Sequence, residues 1–126
     1  NLNDRVTWAG WLSDPSSVYA ASDIVVCPSV HEPLGNVILE AWSHAKPVIA
    51  TRSQGPLELI LHETNGLLTD IGNPSMMATT LRHLLGQSEV DRLALGAAGL
   101  HTLQTQFSAK AITDSYLSVY AELLRQ

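Results

Sequence analysis

The chain has 126 residues, a formal net charge of -5, and 45% hydrophobic against 15% charged residues, which fits one compact globular domain and excludes a disordered chain. Its seven Lys and Arg are spread thinly, without the basic stripe that neutralises nucleic-acid phosphates, and no apolar run approaches the roughly 20 residues of a membrane span. No basic-then-apolar leader opens the chain, and the single Cys27 can form no internal disulfide, so the expected compartment is reducing and cytoplasmic.

Val6-Thr7-Trp8, closed by Gly10, predicts a first strand. Ser13-Asp14-Pro15 is a helix-start signal, and the helix is expected to run through Val18, Tyr19 and Ala20 to about Ser22. Ile24 to Cys27 is a continuous apolar run ended by Pro28, the pattern of a buried parallel strand. Residues 29–35 read as loop, and Val37, Ile38, Ala41 and Ala45 have helical spacing over Asn36 to His44. A short strand at Pro47 to Ala50 follows, then a helical turn from Gly55 to Leu61. The Asn65-Gly66 turn leads to a fourth strand at Leu67 to Thr69.

After Asp70 the pattern is helical. Asn73-Pro74 caps a helix with Met77, Leu81, Leu84 and Leu85 on one stripe, ending near Gly86. A helix from Glu89 to Thr105 is next. The last, from Ser108 to the chain end, aligns Ile112, Tyr116, Val119, Tyr120 and Leu123. Both stripes are expected to pack on the sheet or on each other. Trp8, Trp11, Trp42 and Cys27 are read as packing residues. Strands alternating with short helices predict an α/β fold: a Rossmann-like parallel sheet of about four strands with flanking helices and a helical C-terminal end.

The chemistry concentrates at Glu32 to Glu40, between the carboxyl end of a parallel strand and the start of a helix, where open α/β sheets bind ligands. The helix amino terminus offers free N–H groups and partial positive charge to a phosphate, and Gly35 lets a diphosphate approach the backbone. Glu40 lies about four residues into the helix, roughly 6 Å along its axis, comparable to the distance from a diphosphate to its ribose. A carboxylate accepts both hydrogens of a vicinal diol, so Glu40 suits a ribose, and Glu32 suits sugar hydroxyls beyond the diphosphate. Glu58 is read either as a site residue or as a complement to its helix dipole. His31 is read as a loop residue. Glu40 and His44 are spaced i, i+4 like metal ligands, but no third ligand is evident.

Glu32, seven intervening residues and Glu40 resemble the E-x7-E motif of the retaining GT-B glycosyltransferases of glycosyltransferase family 4, or group 1. The frame resembles that family too: Ala21-Ser22-Asp23 before Val25 to Ser29, Glu40-Ala41 through Pro47 to Thr51, Gly55 to Ile60, and Asn65 to Leu68. Gln54 and Ala45 stand where the family commonly has Gly.

The resemblance implies a partial C-terminal, nucleotide-sugar-binding domain over residues 1–126, with the acceptor domain and the first strands of this domain outside the sequence. It implies that Glu32 works at the anomeric centre of the donor sugar. Backbone N–H groups of Leu34, Gly35 and Asn36 would hold the distal phosphate, Glu40 the ribose, and Gly55 and Glu58 would complete the donor site. No cofactor and no metal are implied; the chain has no Asp-x-Asp. The partners would be a nucleotide-sugar donor and a saccharide, lipid or small-molecule acceptor bound by the other domain. The full-length protein would be cytoplasmic or peripheral to the cytoplasmic membrane face.

Two carboxylates facing a diphosphate repel it unless cations are supplied; in this family they come from an upstream Arg and Lys. The piece alone is therefore expected to bind donor weakly and to transfer no sugar. Without its neighbouring strands, the first strand is expected to re-pair with the strand at Ile24 to Cys27, or the bare edge to form a homodimer. Two other functions fit the residues: a non-catalytic sugar-nucleotide-binding or dimerisation module, and a GT-B sugar-nucleotide epimerase.

Overall fold

Strand β1 (Val25–Cys27) pairs in parallel with β2 (Val48–Thr51), and β2 with β3 (Leu67–Thr69), so sheet order follows chain order. The register sets Val25 against Val48 and Ile49 against Leu67. The computed structural model describes residues 2–125. Helices α1 (Ser16–Ala21), α2 (Asn36–Ser43), α3 (Gln54–Leu59), α4 (Pro74–Gly86), α5 (Glu89–Gln106) and α6 (Ala109–Leu123) complete the fold. None of them, among the described residues, is long and apolar enough to cross a membrane.

Side-chain alternation along β2 sorts the core into two layers. Val48 and Ala50 face a cluster containing Ile38, Ala41 and Trp42 of α2, with Leu59, Ile60 and Leu68. Ile49 faces the other way, onto Leu67 and Leu84, with Met77 and Leu81 of α4 beside them. Every residue of β2 and β3 is buried, which explains the unbroken apolar runs. Each fully buried Ile or Leu of these layers contributes about 1.5–3 kcal/mol.

The helix starts are set by side chains. Asn73 accepts the Met76 N–H at 2.9 Å, with Pro74 in the first turn. Ser88 accepts the Asp91 N–H at 3.1 Å, and Ser108 that of Ala111 at 3.2 Å. Such caps satisfy amides that have no intrahelical acceptor, at about 1 kcal/mol each. Asp14 does the same for α1 from outside the helix, accepting the Ser16 N–H at 2.9 Å.

Three expectations are corrected. Val6-Thr7-Trp8 is not a strand: after a 3-10 turn at Asn3–Arg5, residues 6–15 form neither helix nor strand. A strand so short needs a neighbour's hydrogen-bond ladder, and it does not re-pair with β1, so the described sheet has three strands, not four. Trp8 and Trp11 are 91% and 87% exposed and pack no core, whereas Trp42 is fully buried. The α6 stripe is likewise uncovered, its five residues 41% to 62% exposed, because an amphipathic pattern marks a face without supplying the surface that covers it. Gln126, the end of that helix as expected from sequence, lies outside the described residues. On α4, Met77, Leu81 and Leu84 pack as expected, while Leu85 is exposed.

Candidate functional site

The loop that follows β1 at its carboxyl end runs from Pro28 to Gly35 and feeds directly into α2. Gly35 turns the chain in the left-handed region, at φ 90°, where L side chains are strained. A Cβ there would also lie 3.0 Å from Leu59 Cδ1 and 3.2 Å from Ile38 Cδ1. The Gly35 N–H donates to Glu32 Oε1 at 3.1 Å, so the carboxylate of Glu32 is folded back over the amino terminus of α2. A negative group in that place complements the helix dipole. It also marks where the oxygen of another anion is welcome.

Two contacts lock this loop to the next strand–helix junction. Thr51, at the end of β2, donates its hydroxyl to the Ser29 carbonyl at 2.5 Å. Gly55 donates its N–H to the Glu32 carbonyl at 2.7 Å. A Cβ on Gly55 would stand 2.4 Å from the Leu34 carbonyl carbon and oxygen, so only glycine permits this approach. Its amide is committed to the Glu32 loop; Gly55 shapes the site by bringing the two loops together. The Ser53 hydroxyl beside it is buried without a hydrogen-bond partner among the described residues, a condition that costs about 1–3 kcal/mol.

Glu32, Leu34, Gly35, Asn36 and Gly55 therefore converge at one end of the sheet. Leu34 and Asn36 are exposed, and Gly35 and Gly55 are buried. Glu40 stands on the exposed side of α2, where its Oε2 accepts the Tyr19 hydroxyl at 2.7 Å. Burial, and then that bond to Glu40, push the Tyr19 phenol up to about 12. Glu58 is also exposed, but α3 ends at Leu59. It occupies the last turn, where the dipole is negative, so the dipole-complement reading of Glu58 is withdrawn.

The two nearby cations separate cleanly. Lys46 lies before β2, at the opposite end of the sheet, and its ammonium donates to the Ala20 carbonyl at 2.9 Å. Arg52 follows β2 on the site's side, 3.7 Å from Asp70. Neither Glu32 nor Glu40 is ion-paired among the described residues. No group of three or more His, Cys, Asp and Glu among the described residues is placed to hold a metal. Cys27 is buried in the core, as expected.

A cavity of about 650 Å³ lies elsewhere, lined by His62, Glu63, Met76, His83, Gln87 and Asp91 among others. It runs along the open edge of β3, where His62 Nδ1 accepts the Leu68 N–H at 2.9 Å, and does not sit in the crevice beyond β1 and β2. Volume and topology disagree here, and topology is the stronger guide, because in open α/β sheets ligands bind outside the carboxyl ends.

Several structural residues escaped sequence reasoning. Asn65, read as a turn residue, is a buried hub: its Oδ1 accepts the Leu61 N–H, its Nδ2 donates to the Leu59 carbonyl and to Thr102 Oγ1, and its carbonyl accepts Trp42 Nε1. Gly96 and Gly99 of α5 lie against α2 and its C-terminal turn, where added Cβ atoms would be 2.0 Å from the Ala45 carbonyl oxygen and 2.2 Å from Trp42 Cδ1. Their i, i+3 spacing was the available signal.

Residues 1–87 match the protein family described as glycosyl transferases group 1. The chain belongs to the group 1 glycosyltransferases. It is 42% identical over 119 residues to the lipopolysaccharide core biosynthesis glycosyltransferase LpsD of Rhizobium meliloti, covering 94% of this chain and 34% of that protein. LpsE of the same organism is 42% identical over 120 residues, with 95% and 35% covered. The structure of Anabaena HepE in complex with UDP superposes with a TM-score of 0.88 at 27% identity, over 96% of this chain and 33% of that one. Sucrose-phosphate synthase from Thermosynechococcus elongatus superposes with a TM-score of 0.87 at 30% identity, over 98% and 31%. The α/β fold is thus that of the C-terminal domain of GT-B glycosyltransferases. This group 1 domain spans about a third of the length of the curated relatives it matches.

Proposed function

We propose that this domain binds the nucleotide-sugar donor of a retaining GT-B glycosyltransferase of glycosyltransferase family 4. The full-length protein transfers the sugar to a hydroxyl of a saccharide, lipid or small-molecule acceptor. The observation that carries the reading is the Glu32–Gly35 turn at the carboxyl end of β1, with Gly35 left-handed and the α2 amino terminus behind it. Family membership and the UDP- and UDP-glucose-bound HepE structures support it.

In this reading the distal phosphate of the donor takes the amino terminus of α2, displacing the Glu32 carboxylate from the Gly35 N–H. Glu32, freed at the rim, accepts hydroxyls of the sugar next to the anomeric carbon. Glu40, one turn further along α2, accepts the ribose diol. Gly55 holds the Glu32 loop in place, and Glu58 lines the outer side of the donor site. The cations that offset the diphosphate and the acceptor domain belong to the rest of the protein, whose relatives are about three times as long. The leaving diphosphate is stabilised by these protein groups, without a divalent cation.

Calorimetric titration of the full-length protein with UDP-, GDP- and ADP-sugars tests the reading. It predicts selective binding to one nucleotide, weakened about 10- to 100-fold by Glu40→Ala, since a hydrogen bond to a charged group is worth about 1.5–3 kcal/mol. Equal affinity of wild type and Glu40→Ala, or binding of no nucleotide-sugar, contradicts it.

A further inference from the structure

Helix α1 contributes one side chain to the neighbourhood of the site that neither motif nor family match singles out. The Tyr19 hydroxyl donates to Glu40 Oε2 at 2.7 Å, across 21 residues of sequence. Glu40 Oε1 accepts nothing among the described residues, and the side chain is exposed. A long, exposed carboxylate with no partner would sample several rotamers and lose that freedom on binding a ligand. One bond to a fixed donor removes the freedom beforehand, and leaves lone pairs on both oxygens.

The donor is fixed from several sides. The Tyr19 ring packs against the core cluster that contains Trp42 and Ile38. It stacks on the His44 ring with centroids 5.5 Å apart and planes 24° apart. The His44 ring is itself held, with Nδ1 3.0 Å from the Glu40 carbonyl and 3.0 Å from Ser43 Oγ. Lys46 ties the end of α1 to the turn after α2 through the Ala20 carbonyl, so the spacing of the two helices does not depend on the Tyr19–Glu40 bond alone. The phenol, pushed up to about 12, stays protonated and donating throughout the neutral range.

We propose that Tyr19 is a positioning residue of the donor site, presenting the Glu40 carboxylate in the orientation in which its free lone pairs meet the two hydroxyls of the ribose. The inference rests on the reading that Glu40 holds the ribose. It assigns to α1 a share in nucleotide recognition. Tyr19 touches no part of the donor and acts only through Glu40. Preorganisation of one side chain is worth a severalfold gain in affinity, and that gain is confined to ligands that use the carboxylate.

The test is calorimetry on the full-length protein with UDP, GDP and ADP, each beside its 2′,3′-dideoxy counterpart. Wild type, Tyr19→Phe, Glu40→Ala and the double variant are compared. Tyr19→Phe keeps the ring and its stacking, and unchanged affinity for the dideoxy nucleotide certifies that the site is folded. The expected result is a loss of about 3- to 10-fold for the ribonucleotide in Tyr19→Phe, none for the dideoxy form, and no further loss when Tyr19→Phe is added to Glu40→Ala. Equal loss for both nucleotides would make Tyr19 a structural residue and overturn the inference. So would retained ribonucleotide affinity in Tyr19→Phe while Glu40→Ala loses it, which leaves the role of Glu40 intact. If Glu40→Ala does not distinguish ribose from dideoxyribose, or no nucleotide binds, the reading of Glu40 fails and Tyr19 falls with it.

Discussion

Two regions of this domain both carry large apolar side chains and end in opposite states. Where α5 crosses α2, Gly96 and Gly99 bring the helices so close that a single added carbon would overlap the Ala45 carbonyl or the Trp42 ring. Trp42 is fully buried there, and its indole N–H donates to the Asn65 carbonyl at 3.1 Å. In the other region, residues 6–12 and helix α6, Trp8 is 91% exposed, Trp11 87% and Tyr116 62%. The contrast lies in the partner surface. At the first place a face of small residues meets a large side chain, and a buried polar hub satisfies what the indole exposes. At the second the apolar side chains are left exposed by the little that packs on them within the described residues. Close packing, more than hydrophobicity, decides which segments carry this fold.

The strongest way to break that comparison is to attack the crossing. Trp42→Ala is expected to destabilise by about 3–5 kcal/mol, as large-to-small changes at buried aromatics do. Gly99→Ala, a gain of one carbon, is expected to cost about 1–3 kcal/mol by overpacking. Urea denaturation measures both; a cost under about 0.5 kcal/mol for Trp42→Ala would mean that the crossing is not the core.

A smaller change of opposite sign sharpens the same region. Ala45 has φ 52°, in the left-handed region, where glycine is at ease and a Cβ is strained. Ala45→Gly should relieve roughly 1 kcal/mol of backbone strain, raising the denaturation midpoint. An unchanged or lowered midpoint would show that the turn after α2 is not strained. The smallest effects belong to the exposed region: Trp8→Ser and Tyr116→Ser are expected to change the stability of this chain by less than about 0.5 kcal/mol. A larger loss would place a packing partner where none is described.

The same contrast explains what could be read from residues alone. β1, β2, β3 and the start of α2 announced themselves through short-range signals: the apolar runs ended by Pro28, the glycine before Asn36, the Asn65-Gly66 turn. The cap at Asn73-Pro74 and the stripe of Met77, Leu81 and Leu84 did the same for α4. The placement of Glu32 and Gly35 was legible because strand-to-helix connections in such sheets open at one end; Gly55 joined them only through the family resemblance. What failed, or stayed hidden, depended on distant partners. Val6-Thr7-Trp8 has strand composition but no ladder beside it. The α6 stripe has periodicity but no cover. The links Tyr19–Glu40, Asn65–Thr102 and Gly99–Trp42 span 21, 37 and 57 residues, and no local pattern encodes them. The dipole alternative for Glu58 failed for a more local reason: α3 starts one residue earlier, at Gln54, and ends at Leu59, and two residues at a boundary move a carboxylate from one pole of a short helix to the other.

The central claim is that a nucleotide-sugar meets this domain at the amino terminus of α2 and not in the cleft by His62 and His83. A crystal structure of the full-length protein with a bound nucleoside diphosphate tests it most directly. The account predicts the distal phosphate within hydrogen-bonding distance of the Gly35 and Asn36 amides, with the ribose hydroxyls on Glu40. A diphosphate lodged beside His62 and His83, with Glu32 still closed over the Gly35 N–H, would contradict it.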